Sequence, residues 1–163
     1  MVMRSLVADP LQELTHDHRE LSGLLVAVRD ALLRVEDGRS KLADELHEIS
    51  DGVEALRDAL LEHFAREQEA LLPFVVMRLP AERERADRII VEHDRIAEAV
   101  TTLVRDLDRL TPEALASWRA EFERFEELYA AHSRSELAFL REVAASLSND
   151  ATAAEQLRAL LDA

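Results

Sequence analysis

The sequence predicts an all-α protein, an antiparallel up-down-up-down four-helix bundle with a short C-terminal fifth helix. Composition is the first indication, because a chain of 163 residues with only 3 Gly and 4 Pro favours long helices. Hydrophobic patterning is the second, because apolar residues recur at helical spacing and no stretch alternates as a strand does. The four long predicted helices are also joined by connections that are too short for a long crossover.

Capping residues, glycine and proline mark the ends of these helices. Asp9-Pro10 begins the first helix, which ends before Asp37-Gly38. Leu79-Pro80 separates the second helix from the third, and Thr111-Pro112-Glu113 begins the fourth. The five predicted helices cover approximately residues 10–36, 40–79, 81–110, 113–147 and 151–161. We therefore expect one domain over residues 1–163, with its bundle core at about 9–147.

Charge and cysteine content exclude several classes of function. A formal net charge of −14 repels phosphate backbones, so we expect no nucleic-acid partner. The absence of cysteine excludes disulfides, thiolate zinc sites and iron–sulfur ligation by this chain. No apolar run approaches the length of a membrane span and no signal-peptide core is evident, so we expect a cytoplasmic protein without membrane contact.

Histidines followed by an acidic residue four positions later are the main candidates for chemistry. Four such pairs occur: His16/Glu20, His47/Asp51, His63/Glu67 and His132/Glu136. The spacing places both side chains of a pair on one helix face, where they could share a metal. It is weak evidence alone, because acidic residues are frequent in this chain. The position of each pair relative to the apolar stripe is a better criterion.

Helical wheels send one histidine from each long helix towards the apolar stripe, together with two glutamates. These side chains are His18, His63, Glu67, His93, His132 and Glu136. In an antiparallel bundle all six fall at the same end, to within about one or two helical turns. His16 and His47 fall on polar faces, although His16 is an alternative ligand because it lies next but one to His18.

This convergence predicts a metal site. A lone histidine on an apolar face is more often an ordinary core residue, but a buried glutamate needs a proton, a cation or a metal. The inward faces offer almost no Lys or Arg to pair with Glu67 and Glu136. Four ligands satisfy a structural zinc, whereas six ligands with two carboxylates suggest two bridged metals. Iron is the natural choice and manganese the alternative.

The same residues resemble the hemerythrin-like, HHE cation-binding domain. The matching segments are HDHREL at 16–21, HFAREQEALLP at 63–73, EHDRI at 92–96 and HSRSE at 132–136. The resemblance implies a non-haem di-iron site, with two oxo- or hydroxo-bridged Fe ions per chain. It assigns ligand roles to the six residues that the wheels select.

Two departures from the oxygen-carrying members of that family bear on function. Their further third-helix histidine corresponds to Ala97, and their fourth-helix aspartate corresponds to Leu137, so that Glu136 takes the bridging role. Fewer ligands leave open metal positions, which favours reaction over reversible carriage. Tyr129, one turn before His132, is either a core residue or a near-site residue whose hydroxyl contacts a metal or its ligand.

The leading hypothesis is therefore a di-iron protein that binds or reacts with dioxygen, hydrogen peroxide or nitric oxide. If it is an enzyme, we expect a peroxide- or oxygen-consuming oxidoreductase of catalase-like or peroxidase-like type. The alternative is an iron- or oxygen-responsive regulatory module without turnover. Iron–sulfur repair, known for some relatives, is less favoured because the cysteine-bearing segment is missing. A helical bundle that binds no metal is a further alternative. Both a monomer and a dimer fit the sequence.

Overall fold

The computed structural model describes residues 8–148 and 150–161, with side chains from residue 17 onward except at 149, 154 and 158. Within these residues the regular structure is helical and contains no strand. The helices are α1 Ala8–Glu36, α2 Leu42–Arg66, α3 Leu72–Arg78, α4 Arg83–Leu107, α5 Leu115–Ser146 and α6 Ala151–Leu161. The predicted all-α class is confirmed, while the up-down-up-down arrangement stays a prediction.

Most predicted helix ends lie within a few residues of the observed ones. Gly38, with φ at 68°, follows the end of α1 in the left-handed region that favours glycine. The Asp150 side chain accepts a hydrogen bond from the Ala153 amide at 2.9 Å and caps α6. The predicted third helix is too long, because the Leu110 amide bonds to the Leu107 carbonyl three residues back, and the chain turns there.

The predicted second helix is helical to Arg78 but is not uniform in its winding. Glu67–Leu71 forms a π-helical segment between α2 and α3, in which the Leu72 amide donates to the Glu67 carbonyl. Pro73 gives the physical reason, since it has no amide hydrogen and its ring would clash with the carbonyl of Glu69 in an α-helix. The wider turn relieves that clash just before the proline.

The chain forms two compact units, and the first holds all six candidate ligands. This first unit groups the described residues of 1–18, 62–93 and 131–163. Its apolar core is built by Phe74, Ile89, Phe139 and Val143, which are at most 4% exposed. Helix α6 packs against the π-helical segment and contributes the fully buried Leu157 to this core.

The second unit comprises residues 19–61 and 94–130 and has a separate aromatic core. Trp118 stacks on Phe122 with ring centroids 5.7 Å apart, and its indole N–H donates to the Leu103 carbonyl at 3.1 Å. These contacts place the two aromatic side chains of α5 in the core of the second unit. None of the helices in the described part of the chain has the length and apolar character that a bilayer crossing requires.

Two helical glycines of the second unit make a matched stability test. A Cβ at Gly52 of α2 would lie 2.7 Å from Cγ2 of buried Val28, whereas a Cβ at Gly23 of α1 would meet nothing within 4 Å. Gly23→Ala should therefore raise the free energy of unfolding by about 0.5–1 kcal/mol through helix propensity. Gly52→Ala should lower it, because the stiff Val28 side chain must move. Urea denaturation of both variants measures the difference, and a stabilised Gly52→Ala would contradict the close packing.

Candidate metal centre

Four histidines and two glutamates form one buried cluster in the first unit. They come from α1 (His18), α2 (His63), the π-helical segment (Glu67), α4 (His93) and α5 (His132 and Glu136). All six residues are between 0% and 4% exposed. The structure therefore brings together every residue that the helical wheels select, although the wheels cannot give the distances between them.

Within the cluster the histidines form two pairs. The rings of His18 and His63 lie 4.8 Å apart, and those of His93 and His132 lie 4.9 Å apart, each pair in an edge-on arrangement. Candidate ligand atoms of His18, His63, Glu67 and Glu136 all lie within 4.8 Å of one another. The same limit holds for the group of His93, His132 and Glu136, so Glu136 belongs to both groups.

Both carboxylates reach both histidine pairs. Glu67 places Oε1 3.4 Å from His63 Nε2 and Oε2 3.3 Å from His93 Nε2. Glu136 places Oε2 3.0 Å from His18 Nε2 and 3.2 Å from His132 Nε2. Each glutamate thus lies between an imidazole of one pair and an imidazole of the other, as a bridging ligand would.

The inward atoms of the cluster approach one another without making hydrogen bonds. Both oxygens of Glu67, both oxygens of Glu136 and the Nε2 atoms of His63, His93 and His132 are fully buried and lack a hydrogen-bond partner. An unsatisfied buried polar group costs about 1–3 kcal/mol, and more when it is charged. Burying so many unsatisfied polar atoms together costs free energy that apolar packing alone would have to offset. A cation between these atoms would remove that cost.

The outward nitrogens of the same imidazoles all have polar neighbours. His63 Nδ1 lies 3.2 Å from Asp17 Oδ2, and His132 Nδ1 lies 2.9 Å from Glu92 Oε2. Because a carboxylate can only accept, these two imidazoles carry their hydrogen on Nδ1. The lone pair of Nε2 then points into the cluster, which is the form that a metal ligand takes.

The other two histidines have neutral neighbours at Nδ1. The Ser133 hydroxyl lies 3.1 Å from His18 Nδ1, and the Gln68 amide nitrogen lies 3.2 Å from His93 Nδ1. A hydroxyl can accept from an N–H group, and a half-turn of the amide about its last bond presents its oxygen instead. All four histidines can therefore direct an unprotonated Nε2 inward.

An aromatic ring covers the second histidine pair. Phe64 stacks on His93 with centroids 4.0 Å apart and an angle of 10°, and it meets His132 edge-on at 5.7 Å. Phe64 is only 4% exposed. This contact restrains both rings and keeps water from that side of the cluster.

A family model decides the relationship of this chain to known proteins. The model of the hemerythrin HHE cation binding domain matches residues 9–138. The chain belongs to this family. Neither a curated protein nor a solved structure gives a significant match. The family and the geometry agree, because this hemerythrin HHE domain carries a buried His/Glu cluster that could bind metal.

The donor set of this hemerythrin HHE domain fits transition-metal ions. Imidazole nitrogen suits iron, copper and zinc, and carboxylate oxygen adds preference for harder ions such as iron and manganese. The polar neighbours at the Nδ1 atoms supply the outer contacts that metal-ligating histidines normally have. Both the inward and the outward atoms of the histidines are thus arranged as a metal site requires.

The pKa values of the two glutamates move in opposite directions in the protein chain alone. Burial, together with the neighbouring carboxylate of Glu136, raises the pKa of Glu67 well above its usual value. Burial also acts to raise the pKa of Glu136, but in the metal-free chain the histidines around it can take up a proton at Nε2 and donate to this carboxylate, which outweighs burial and holds the value well below the usual range. Glu136 is therefore the carboxylate of the pair that loses its proton at the lower pH.

Three other residues that the sequence analysis discusses have different outcomes in the structure. The side chain of His47 is 89% exposed and lies 3.2 Å from Asp51, which confirms that this pair faces solvent. Tyr129 is buried in the second unit at 3% exposure, which agrees with both of its alternative roles, a core residue or a near-site residue. The side chain of His16 lies outside the described residues, so its alternative ligand role also stays a prediction.

Sequence reasoning missed the outward contacts of the histidines. The contacting residues are Asp17, Gln68, Glu92 and Ser133. Each is the sequence neighbour of one candidate ligand but contacts a histidine on a different helix. Residues i and i+1 are about 100° apart on a helix, so the neighbour of an inward residue faces the adjacent helix. That rule is the signal that could have found them.

Replacing one buried carboxylate should separate stability from metal binding. Glu67→Gln removes the cost of burying an ionisable group, so the metal-free chain should gain about 1–3 kcal/mol of unfolding free energy at neutral pH. The same variant should lose metal binding. Glu69→Gln, a matched change at an exposed position of the same segment, should alter neither quantity. Denaturation and metal titration of the two variants check this prediction, which a destabilised Glu67→Gln would contradict.

The stabilising effect of Glu67→Gln should also depend on pH. Below the ordinary value of 4.5, Glu67 is protonated in both the folded and the unfolded chain, so replacing it changes little. Above 4.5 the unfolded chain ionises first, and the wild type loses stability until the pH reaches the raised folded pKa. The difference between variant and wild type should therefore grow from pH 4 to pH 8, as measured by urea denaturation. A difference that shrinks with pH would contradict the raised pKa.

Proposed function

We propose that this hemerythrin HHE domain holds two iron ions and that it binds or reacts with a small oxidant or gas. The observation that carries the proposal is the arrangement of two histidine pairs around two shared carboxylates. A single metal ion would not need two carboxylates that each lie near both histidine pairs. The proposal includes the antiparallel four-helix bundle, which brings one histidine from each long helix to one level.

The proposed ligand roles follow the observed pairing. His18 and His63 would bind one iron, and His93 and His132 the other. Glu67 and Glu136 would bind both, because each lies near an imidazole of either pair. Iron is favoured over zinc because a d¹⁰ zinc site is normally complete with four ligands, and over copper because two carboxylates favour a harder ion.

An iron pair held by these six residues would supply redox chemistry towards dioxygen, hydrogen peroxide or nitric oxide. The chain would control this chemistry through the number of side-chain ligands that it offers to the metals. Among the described residues the candidate ligands are six, and the Ala97 side chain has no donor atom where oxygen carriers of the family have a further histidine. Six donors would leave open coordination positions on two metals, which supports reaction with a small ligand over reversible oxygen binding. The Phe64 ring limits the access of bulk water to the His93–His132 side.

A regulatory module without turnover is the second candidate, and one contact favours it. Helix α6 packs directly against the π-helical segment that carries Glu67. Metal binding at Glu67 would therefore bias the packing of α6, and another protein could recognise that change. The two candidates share the metal site and differ in whether an oxidant is consumed.

Metal analysis of protein from iron-replete cells tests the site itself. We expect two irons per chain, with near-ultraviolet absorption from the bridged pair. His63→Ala should lose most of this iron because it removes a donor of the buried cluster, while His47→Ala, at an exposed histidine, should keep it. One zinc per chain, or iron content that is equal in the two variants, would sink the proposal.

Adding hydrogen peroxide to the reduced, iron-loaded protein in the presence of excess ascorbate separates the two candidates, because a peroxidase-like reaction needs a reductant to continue. Consumption of several equivalents of hydrogen peroxide per chain, absent in Glu136→Ala, is the result expected for an oxidoreductase. A single oxidation without further consumption would favour the regulatory module. Reversible dioxygen binding over many cycles without oxidation would show that reactivity is the wrong reading of Ala97.

A further inference from the structure

The two histidine pairs differ in the charge that their outer contacts supply. The inference from this difference rests on the proposed di-iron function. Each pair has one imidazole facing a carboxylate and one facing a neutral group. The carboxylates are Asp17 for the His18–His63 pair and Glu92 for the His93–His132 pair. A carboxylate at Nδ1 makes an imidazole a stronger donor, so these two contacts dominate the comparison.

Asp17 shares its negative charge with a cation. Its Oδ2 atom accepts a hydrogen bond from Arg66 Nη1 at 3.0 Å, and the same oxygen lies 3.2 Å from His63 Nδ1. A guanidinium on the accepting oxygen withdraws electron density from the contact with the histidine. The carboxylate of Asp17 is therefore weaker in its effect on His63 than an isolated carboxylate would be.

Glu92 has no such cation. Its Oε2 atom lies 2.9 Å from His132 Nδ1, which is shorter than the corresponding contact of Asp17. Among the described residues no Lys or Arg forms an ion pair with Glu92. The Glu92 carboxylate therefore acts on His132 without a competing cation, and it strengthens His132 as a donor to one side of the cluster.

We propose that Glu92 is a positioning residue that makes the His93–His132 side the stronger of two unequal metal positions, and that Arg66 weakens the other side by neutralising Asp17. The difference is a property of this chain's own side chains and exists before any oxidant arrives. It predicts that metal ions enter in two distinguishable steps. It also predicts that the outer carboxylates are not interchangeable.

Titration of the metal-free protein with Co²⁺, followed by the visible absorption of the bound ion, tests the proposal. Wild type should bind two Co²⁺ in two resolved steps. Glu92→Gln should weaken the tighter step about tenfold, because the amide can still accept but carries no charge. Asp17→Asn should weaken only the looser step, and by a smaller factor. Asp94→Asn removes an exposed charge beside His93 on the same helix and should change neither step.

The contact between Arg66 and Asp17 gives a second, independent arm. Arg66→Gln should tighten the looser step, and in that background Asp17→Asn should weaken this step by a larger factor than it does in the wild type. This arm still decides the matter if Glu92→Gln fails to fold. Equal losses for Asp17→Asn and Glu92→Gln in the wild-type background, or an Asp94→Asn loss as large as that of Glu92→Gln, would overturn the inference while leaving the metal site intact. Wild-type protein that takes up no Co²⁺ would overturn the proposed function as well.

Discussion

Two glutamates, Glu67 and Glu136, are buried where no hydrogen-bond donor of the described residues satisfies their oxygens, and four histidines of the first unit lie around them. An uncompensated buried carboxylate costs several kcal/mol, against a total stability of about 5–15 kcal/mol for a typical domain. Such a cost persists in a protein only when something offsets it. The opposite pKa shifts of the pair offset part of this cost, because they favour a single ionised carboxylate. A cation bound between the two glutamates would offset the rest.

The outer contacts show that the cluster is held from all sides. Each long helix supplies an inward histidine, and each of the four outer groups Asp17, Gln68, Glu92 and Ser133 steadies a histidine from another helix. This ring of contacts fixes the tautomer of His63 and His132 and restrains all four rings. The helices are thus tied together at the level of the cluster by polar contacts that apolar packing alone would not provide.

Much of this could be predicted from the sequence, because helical periodicity is a local property. The wheel positions of His18 and Glu136, and the proline and glycine boundaries, depend on residues within one or two turns. The π-helical segment was missed, since it depends on how Pro73 is accommodated in a continuous helix. The outer contacts were missed because they join residues of different helices, and their distances follow from packing that one chain segment does not encode.

The claim at the centre is that two metals share the two buried glutamates. Anomalous X-ray diffraction from crystals of the iron-loaded protein, recorded at the iron absorption edge, tests it most directly. Two iron peaks are predicted, both in contact with Glu67 and Glu136, with His18 and His63 at one peak and His93 and His132 at the other. A single peak, or peaks away from these carboxylates, would contradict the account.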